Sequence, residues 1–385
     1  MFQTSYIELS ESAVKNNIEF IHNFLGQGVT FSSVVKGNAY GHGIENYCPI
    51  AYKYGIRHFS VFSAGEALKV TKALDNHEFT LMIMGQIDNE ELSWAIENGV
   101  EFYVFEQDRL NAAISTAKRL GKKARIHVEL ETGMNRTGLP KKDIVTTIKK
   151  IESNISYLDV KGVCSHFAGA ENIANYKRIK DQFKLFKQYK SKLNTAPWLQ
   201  AKKHLASSAA TIRYPKSQMD LVRIGILQFG FFPTQETFVH YTTKYNSSKN
   251  PLQPILSWKT KVMDTKTVNA GEFVGYGTSY FTNDVTKIAL VPVGYSHGYS
   301  RSLSNQGKVL INGARFDVIG TVNMSMLAVD VNLSESTIKK GDEVVLIGTQ
   351  GDQELSVSSF SDFSQLINYE LLTRLPQDIT RTITK

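Results

Sequence analysis

Residues 31–43 read Phe31-Ser-Ser-Val-Val-Lys36-Gly-Asn-Ala-Tyr40-Gly-His-Gly43, a short apolar run that ends on a lysine and enters a glycine-bearing turn. A segment of helical period follows at 44–54, then another apolar run at 58–63 and another helical segment at 64–74. Short apolar runs bounded by turn residues mark strands buried on both faces of a parallel sheet, and the helical segments between them make β-then-α units. Further runs at 79–85, 102–105, 124–132, 158–167, 202–208 and 221–226 alternate with helical segments at 89–98, 107–120, 140–152, 174–192 and a shorter one after Ser208. With a first helix at 12–24, eight such units in about 230 residues predict an α/β chain whose N-terminal part is a (β/α)8 TIM-type barrel, a fold of typically ~250 residues.

After about residue 230 the grammar changes. Pro233, Asn246, Ser247, Ser248, Asn250, Pro251 and Pro254 make a turn-rich linker. Beyond it, strand-like runs at 255–265, 287–294, 308–311, 314–319, 327–331 and 343–347 have almost no helix between them, and one helix is expected at 357–366. The expected division is a barrel domain over 1–240 and a C-terminal mainly-β domain over 241–385.

The 385 residues are 42% hydrophobic and 21% charged, near the globular average, which excludes a disordered, collagen-like or coiled-coil chain. Lys plus Arg number 44 against 36 Asp plus Glu, a net charge of +8. Its densest stretch, 177–192, interleaves Lys with Phe183, Leu185, Phe186 and Tyr189 at helical spacing, the pattern of an amphipathic helix with a solvated face. No zinc pattern or RNA-binding aromatic signature accompanies the charge, so nucleic acid is not an expected partner. The two cysteines, Cys48 and Cys164, form no CxxC, as in a reducing compartment with free thiols. No run of 18 apolar residues occurs and the N-terminus lacks the pattern of a secretory leader, so a cytoplasmic location without membrane insertion is expected.

In a barrel the reactive side chains sit at the C-terminal ends of the strands. The first strand exports Lys36, which at an enclosed mouth loses its ammonium to desolvation and becomes a nucleophile or Schiff-base former; in the open it is a solvated lysine. The seventh strand runs into Ser207 and Ser208, and the eighth carries Arg223, Gly225 and Ile226. Hydroxyls and free backbone N–H groups at a helix start suit a phosphate dianion, although Ser-Ser before a helix also reads as a simple N-cap. Together with the lysine they describe a pyridoxal 5′-phosphate pocket.

These residues resemble the alanine racemase family over the whole chain. The match is densest in Val34-Val35-Lys36-Gly-Asn-Ala-Tyr40-Gly41-His42-Gly43 and continues in Glu131-Thr-Gly-Met134-Asn-Arg136-Thr-Gly138, Ser165-His166-Phe167-Ala168, Val222-Arg223-Ile-Gly225-Ile226, Gly275-Tyr276-Gly277, Gly294-Tyr295, Gly298-Tyr299-Ser300-Arg301 and Asn368-Tyr369-Glu370. The resemblance implies an L-alanine/D-alanine interconversion that supplies D-alanine for peptidoglycan. It implies that Lys36 holds pyridoxal phosphate and serves the D-face, while Tyr276 of a second subunit serves the L-face, making the enzyme a homodimer with shared sites. Two groups are needed because one base alone tends to return the proton to its own side.

By the same resemblance Arg223 donates to the pyridine nitrogen, which leaves the ring a weaker electron sink than one facing a carboxylate. His166 links that network to Tyr276, although read alone it is equally a satisfied core histidine. Tyr40, Ser207, Ser208, Gly225, Ile226 and Tyr369 hold the phosphate or frame the ring. Arg136, which alone reads as a surface ion-pair residue, contacts the cofactor phenolate and the substrate carboxylate. Met324 offers its backbone N–H to that carboxylate, and Tyr295 and Arg301 line and support the access passage.

Four positions depart from the commonest family pattern. Glu129 stands where many members carry a carbamylated lysine, so it is expected to supply that anion directly and to ion-pair with Arg136. Ser325 and His297 stand where aspartates are frequent, and Gln377 falls where many members place a tyrosine near the phosphate and substrate methyl. A methyl-sized pocket depends on bulk, so a broader racemase accepting serine or basic side chains is the alternative. A barrel-type decarboxylase would need a cysteine opposite the lysine, which neither Cys48 nor Cys164 supplies from the C-terminal part, and a non-catalytic cofactor carrier would lack the second domain.

Overall fold

The structure, a computed structural model, describes residues 3–247, 249–358 and 368–385. They form two compact units: one comprises 13–39 and 47–253, the other the N-terminal segment to Ser12, 40–46 and 254–385.

In the first unit eight parallel strands follow one another around the sheet: Thr30–Val34, His58–Val61, Thr80–Ile83, Glu101–Val104, Ala124–Glu129, Leu158–Cys164, Lys202–His204 and Leu221–Ile224. The eighth pairs in parallel with the first, Arg223 opposite Ser32. Between the seventh and eighth the ring is joined by Asp220 N–H to Lys203 O at 3.1 Å and Arg223 N–H to Ala206 O at 2.9 Å. Each expected run holds one strand, and each strand stops short of the end of its run, because the last residues leave the ladder to form the loops at the C-terminal mouth. Helices fall between the strands as expected. The basic stretch forms Tyr176–Lys190, which buries Ile179, Gln182, Phe186 and Tyr189.

Barrel interiors are usually filled by branched aliphatic side chains. This one carries buried Ser32, His58, Ser60, Glu101, His127, His204 and Arg223, residues of six different strands that hydrogen-bond to one another. Buried polar groups persist only when paired, so a polar interior must be a connected one.

The second unit is built on one ten-stranded, mainly antiparallel sheet. Leu256–Lys261 pairs antiparallel with Ser5–Ser10, which pairs in parallel with Thr380–Thr384, so both ends of the chain lie in this sheet. Neither end strand was expected: Ser5–Ser10 has one short alternation, with Ile7 and Leu9 buried, and Thr380–Thr384 is mostly polar. The run expected at 255–265 is two strands, Leu256–Lys261 and Asp264–Val268, with different partners. The break lies where Val262 N–H turns to Asp342 O and Met263 N–H to Leu290 O. The start of the expected linker is helical, Gln235–Tyr245, capped by the Thr234 hydroxyl and ended by Asn246 at φ 49°. The expected division at 240/241 falls inside that helix, which belongs to the barrel unit. The helix expected at 357–366 lies, beyond Ser358, outside the described residues. Among the described residues no helix is long and apolar enough to cross a membrane.

Candidate active site

Lys36 follows the first barrel strand at the C-terminal mouth. Gln228, buried, fixes the end of that strand: its amide nitrogen donates to Val34 O at 3.0 Å and its carbonyl oxygen accepts from Ser33 Oγ at 2.7 Å. The backbone then turns left-handed at Gly37, Asn38, Ala39 and Tyr40, with φ of 61°, 54°, 53° and 51°. Such a conformation costs roughly 1–2 kcal/mol for each residue bearing a Cβ and persists only where its surroundings hold it. Glu66 is one such support, accepting Gly37 N–H on Oε1 at 2.6 Å and Phe62 N–H on Oε2 at 2.9 Å. Solvent reaches the Lys36 side chain, yet the wall around the amine desolvates its ammonium and lowers it from the ordinary lysine value. Arg136 and Arg223 push the same way and Glu66 opposes them.

Arg223, buried on the eighth strand, is held by five hydrogen bonds. Nη1 donates to His204 Nδ1 at 2.5 Å and His204 O at 3.2 Å; Nη2 donates to Ser165 O at 2.8 Å, Leu205 O at 3.1 Å and His166 Nδ1 at 3.3 Å. Its Nε–H has no partner among the described residues and is the donor left for a ligand. His166 Nδ1 accepts that guanidinium, so its proton sits on Nε2, outward of the arginine. Burial, then the charges of Arg223, Arg136 and Lys36, push its imidazolium well below the usual range, so His166 is neutral. His204 is held low by burial and Arg223 in the same way.

Ser207 caps the helix Ser208–Arg213 without a side-chain cap bond, leaving its hydroxyl at the mouth. Ser208 Oγ accepts Gly225 N–H at 3.0 Å, which ties the loops after the last two strands together. Ile226 opens the 3-10 turn Ile226–Phe229 and is buried. Among the described residues Lys36, Arg136 and Arg223 have no carboxylate within ion-pair distance, a cationic mouth where the Ser207 hydroxyl, the Arg223 Nε–H and the Arg136 guanidinium are uncommitted. That donor set fits a phosphate-bearing, ring-nitrogen-bearing anion such as pyridoxal phosphate.

The Glu129–Arg136 ion pair expected from the sequence does not form. Glu129 is buried at the end of the fifth strand, with Oε2 unpartnered among the described residues, whereas Arg136 is exposed on the loop beyond. That loop is closed by Glu131, which accepts the N–H groups of Gly133 and Asn135, and Asn135 itself is left-handed at φ 57°. The turn carries Arg136 to the rim, out of reach of the buried carboxyl. Burial raises the Glu129 carboxyl; a Thr137 hydrogen bond and the more distant Arg223 and Arg136 only partly offset it.

The remaining expected residues lie in the β unit. Tyr276 is 74% exposed and stands between Gly275 at φ 76° and Gly277 at φ 74°, a loop conformation that a side chain at either glycine would strain. Tyr295 N–H donates to Asn323 O at 3.0 Å, and Ser296 N–H and Oγ donate to Met324 O at 3.0 and 2.7 Å. A Cβ on Gly294 would run into Asn323 O and Met324 O, so only glycine lets the two loops meet. Met324 N–H makes no hydrogen bond among the described residues. Arg301 is exposed and opens the turn Arg301–Leu303. The rings of Tyr40 and Tyr369 meet edge-on at 6.2 Å. Gln377 is exposed, its carbonyl accepting Arg381 Nη1 at 3.1 Å. Arg381 also donates to Gly41 O at 2.9 and 2.8 Å and to Ile379 O and Pro376 O, and so ties the turn beyond Tyr40 to the Gln377 segment.

Sequence reasoning missed Glu66, Gln182, Gln228 and Arg381, because polar residues inside helices or strands give no periodic signal. The buried Gln182 shows the difficulty: it accepts Ala168 N–H at 2.9 Å and donates to His166 O at 2.9 Å from within a helix read only for its apolar face.

The chain matches the family models "Alanine racemase, N-terminal domain" over residues 9–233 and "Alanine racemase, C-terminal domain" over 255–383. It is 33% identical over 377 residues to the alanine racemase of Methanococcus maripaludis, covering 98% of this chain and 97% of that protein. Among solved structures, alanine racemase from Bacillus anthracis with bound L-Ala-P superposes with a TM-score of 0.88 at 28% identity, covering 100% of this chain and 96% of the other. Alanine racemase from Bartonella henselae with covalently bound pyridoxal phosphate does so at 0.85 and 25%, covering 100% of both chains. A barrel whose first strand ends on a desolvated lysine, joined to a β unit bearing an exposed tyrosine loop and matched end to end by such relatives, places this chain in the alanine racemase family.

Proposed function

We propose that this chain is a pyridoxal phosphate-dependent alanine racemase that interconverts L-alanine and D-alanine. The observation that carries the reading is Lys36, its ammonium lowered, at a mouth shared with Arg136, Arg223 and a neutral His166. Pyridoxal phosphate, when bound, supplies the electron sink that acidifies the substrate Cα–H. Lys36 Nζ holds that cofactor and moves the proton on the D-face. Tyr276 Oη moves it on the L-face, so that a proton removed from one side is replaced from the other. Arg223 offers its Nε–H to the ring nitrogen, Ser207 and the Ile226 N–H, on the loop that the Gly225–Ser208 bond fixes, receive the phosphate with Tyr40 and Tyr369, and Arg136 with the Met324 N–H receives the substrate carboxylate. His166, an uncharged Nε2–H donor beside Arg223, links that network to the partner's Tyr276.

The enzyme acts as a homodimer whose partner supplies Tyr276. Supporting this, Tyr276, Met324, Phe273 and Phe281 are 74%, 59%, 50% and 49% exposed, an apolar set on the β unit that a second copy covers. A cytoplasmic setting fits the two free, buried cysteines. The broader side-chain range is the less supported alternative, since the named relatives are alanine racemases.

Loading the protein with pyridoxal phosphate and adding L-alanine, L-serine and L-lysine separately tests the reading. A borohydride-reducible visible band with alanine turned over fastest supports it, comparable turnover of lysine or serine moves it to the broader enzyme, and absence of any band overturns it. Mixing Lys36→Ala with Tyr276→Phe tests the shared site. Random reassociation makes half the dimers mixed, each with one intact site of two, so about a quarter of wild-type activity returns if the tyrosine comes from the partner, and none if it does not.

A further inference from the structure

The polar residues inside the barrel form a chain that begins at Arg223 and ends on Glu101. Arg223 Nη1 donates to His204 Nδ1 at 2.5 Å, His204 Nε2 lies 2.9 Å from His127 Nδ1, and His127 Nε2 lies 2.7 Å from Glu101 Oε2. All four side chains are buried. A guanidinium can only donate, so His204 Nδ1 must accept and its proton must sit on Nε2; His127 Nδ1 must then accept, and its Nε2–H must donate to the carboxylate. Every hydrogen bond therefore points from the arginine to the glutamate, with both histidines neutral between a fixed cation and a fixed anion.

A second branch converges on the same carboxylate. His58 Nε2 lies 3.7 Å from Glu101 Oε2, His58 Nδ1 is 2.9 Å from Ser32 Oγ, and Ser32 Oγ is 2.5 Å from Ser60 Oγ. Burial alone would raise the Glu101 carboxyl, but the hydrogen bond from His127, with His58 close by, outweighs it and holds it below the usual range, so it is ionised. The sixth strand supplies the space: a Cβ on Gly162 would strike both His127 Nδ1 and His204 Nε2, at the middle bond of the chain.

We propose that Glu101 is a positioning residue for the active site: by terminating this one-way chain it fixes the tautomers of His127 and His204 and thereby the orientation of the Arg223 guanidinium at the barrel mouth. Without an ionised acceptor at the far end, the chain can reverse. An amide at position 101 can donate to His127 Nε2, which puts protons on both Nδ1 atoms and leaves His204 facing Arg223 donor to donor. The role assigned to Arg223 rests on the racemase reading; the tautomers do not.

Long-range proton–nitrogen correlation on histidine-labelled protein, loaded with pyridoxal phosphate, reads the tautomers directly. In the wild type at mildly alkaline pH, His127 and His204 each show a protonated Nε2 and a bare Nδ1; the opposite tautomer, or an imidazolium at either, overturns the proposal. Glu101→Gln, nearly isosteric, loses the single-tautomer signature and lowers kcat about tenfold while KM for L-alanine stays within twofold, as remote partners of a first-contact group do. Glu101→Asp restores most of both, and Gly162→Ala, which breaks the chain without touching either end, reproduces the Gln effect. An unchanged kcat in Glu101→Gln with altered tautomers shows that Arg223 does not depend on the chain and refutes the positioning role. Fixed tautomers in a protein that racemises no amino acid refute the racemase reading instead, so the two failures are distinct.

Discussion

Glu66 Oε1 accepts the backbone N–H of Gly37 at 2.6 Å, while its other oxygen accepts Phe62 N–H at 2.9 Å. One carboxylate thus spans the left-handed turn behind Lys36 and the entrance to the helix Ala64–Ala73. Charge-assisted bonds to backbone N–H groups are the stronger kind, and a turn with three non-glycine residues at positive φ needs them. Replacing Glu66 by Ala is expected to cost about 1–2 kcal/mol in urea unfolding and to lower kcat/KM for L-alanine at least ~10-fold by releasing Lys36 from its position. Unfolding midpoints and initial rates check it; an unaltered rate would show that the turn holds itself.

The buried His204 and the half-buried His166 give stability a pH dependence of definite sign. His166 and His204 are held neutral by burial and by Arg223, so their folded-state values lie below the unfolded one near 6.5. Below that value the unfolded chain binds more protons than the folded one, and stability therefore falls as pH falls; above it their contribution is complete. Each group changes the unfolding free energy by about 1.4 kcal/mol per pH unit, so a loss of roughly 2–3 kcal/mol between pH of about 7.5 and about 5.5 is expected. Glu101, held low, adds a loss of the same sign only under more acid conditions. Urea unfolding across this range measures the slope, and a flat profile would mean that these rings are solvated.

Arg381 spends its guanidinium on four backbone carbonyls, those of Gly41, Pro376, Gln377 and Ile379. A lysine keeps the charge but is a point donor and cannot span them. Arg381→Lys is expected to lose about 1–2 kcal/mol of stability and to raise KM for L-alanine, because the Tyr40 turn and the Gln377 segment come apart. Thermal unfolding and a KM-against-kcat comparison check both parts.

The eight-fold alternation of apolar run and helical period was enough to read the barrel, since strands buried on both faces give continuous apolar signals. Lys36 was readable because an ammonium at the end of a buried strand is out of place there. Ser5–Ser10 and Thr380–Thr384 were not, because each is stabilised by pairing with the other across the full length of the chain, a contact no local window contains. The Glu129–Arg136 pair fails for a local reason: seven positions apart, the two are kept separate by the left-handed turn at Asn135, whose geometry is set by Glu131. Glu101 carried no signal at all. A lone carboxylate at the start of a short strand looks solvated until His127 and His58 are seen around it.

On the proposed mechanism Lys36 and Tyr276 move protons on opposite faces of one alanine Cα. Its most direct test is to follow L-alanine in D2O, by circular dichroism and by proton NMR of the Cα position, with the cofactor-loaded wild type, Lys36→Ala and Tyr276→Phe. The expected result is conversion to an equal mixture of enantiomers with deuterium at Cα of the D-product, no conversion by Lys36→Ala, and a rate at least ~10²-fold lower for Tyr276→Phe. A loaded wild type that leaves L-alanine unchanged, or a Lys36→Ala variant that racemises at the wild-type rate, would contradict it.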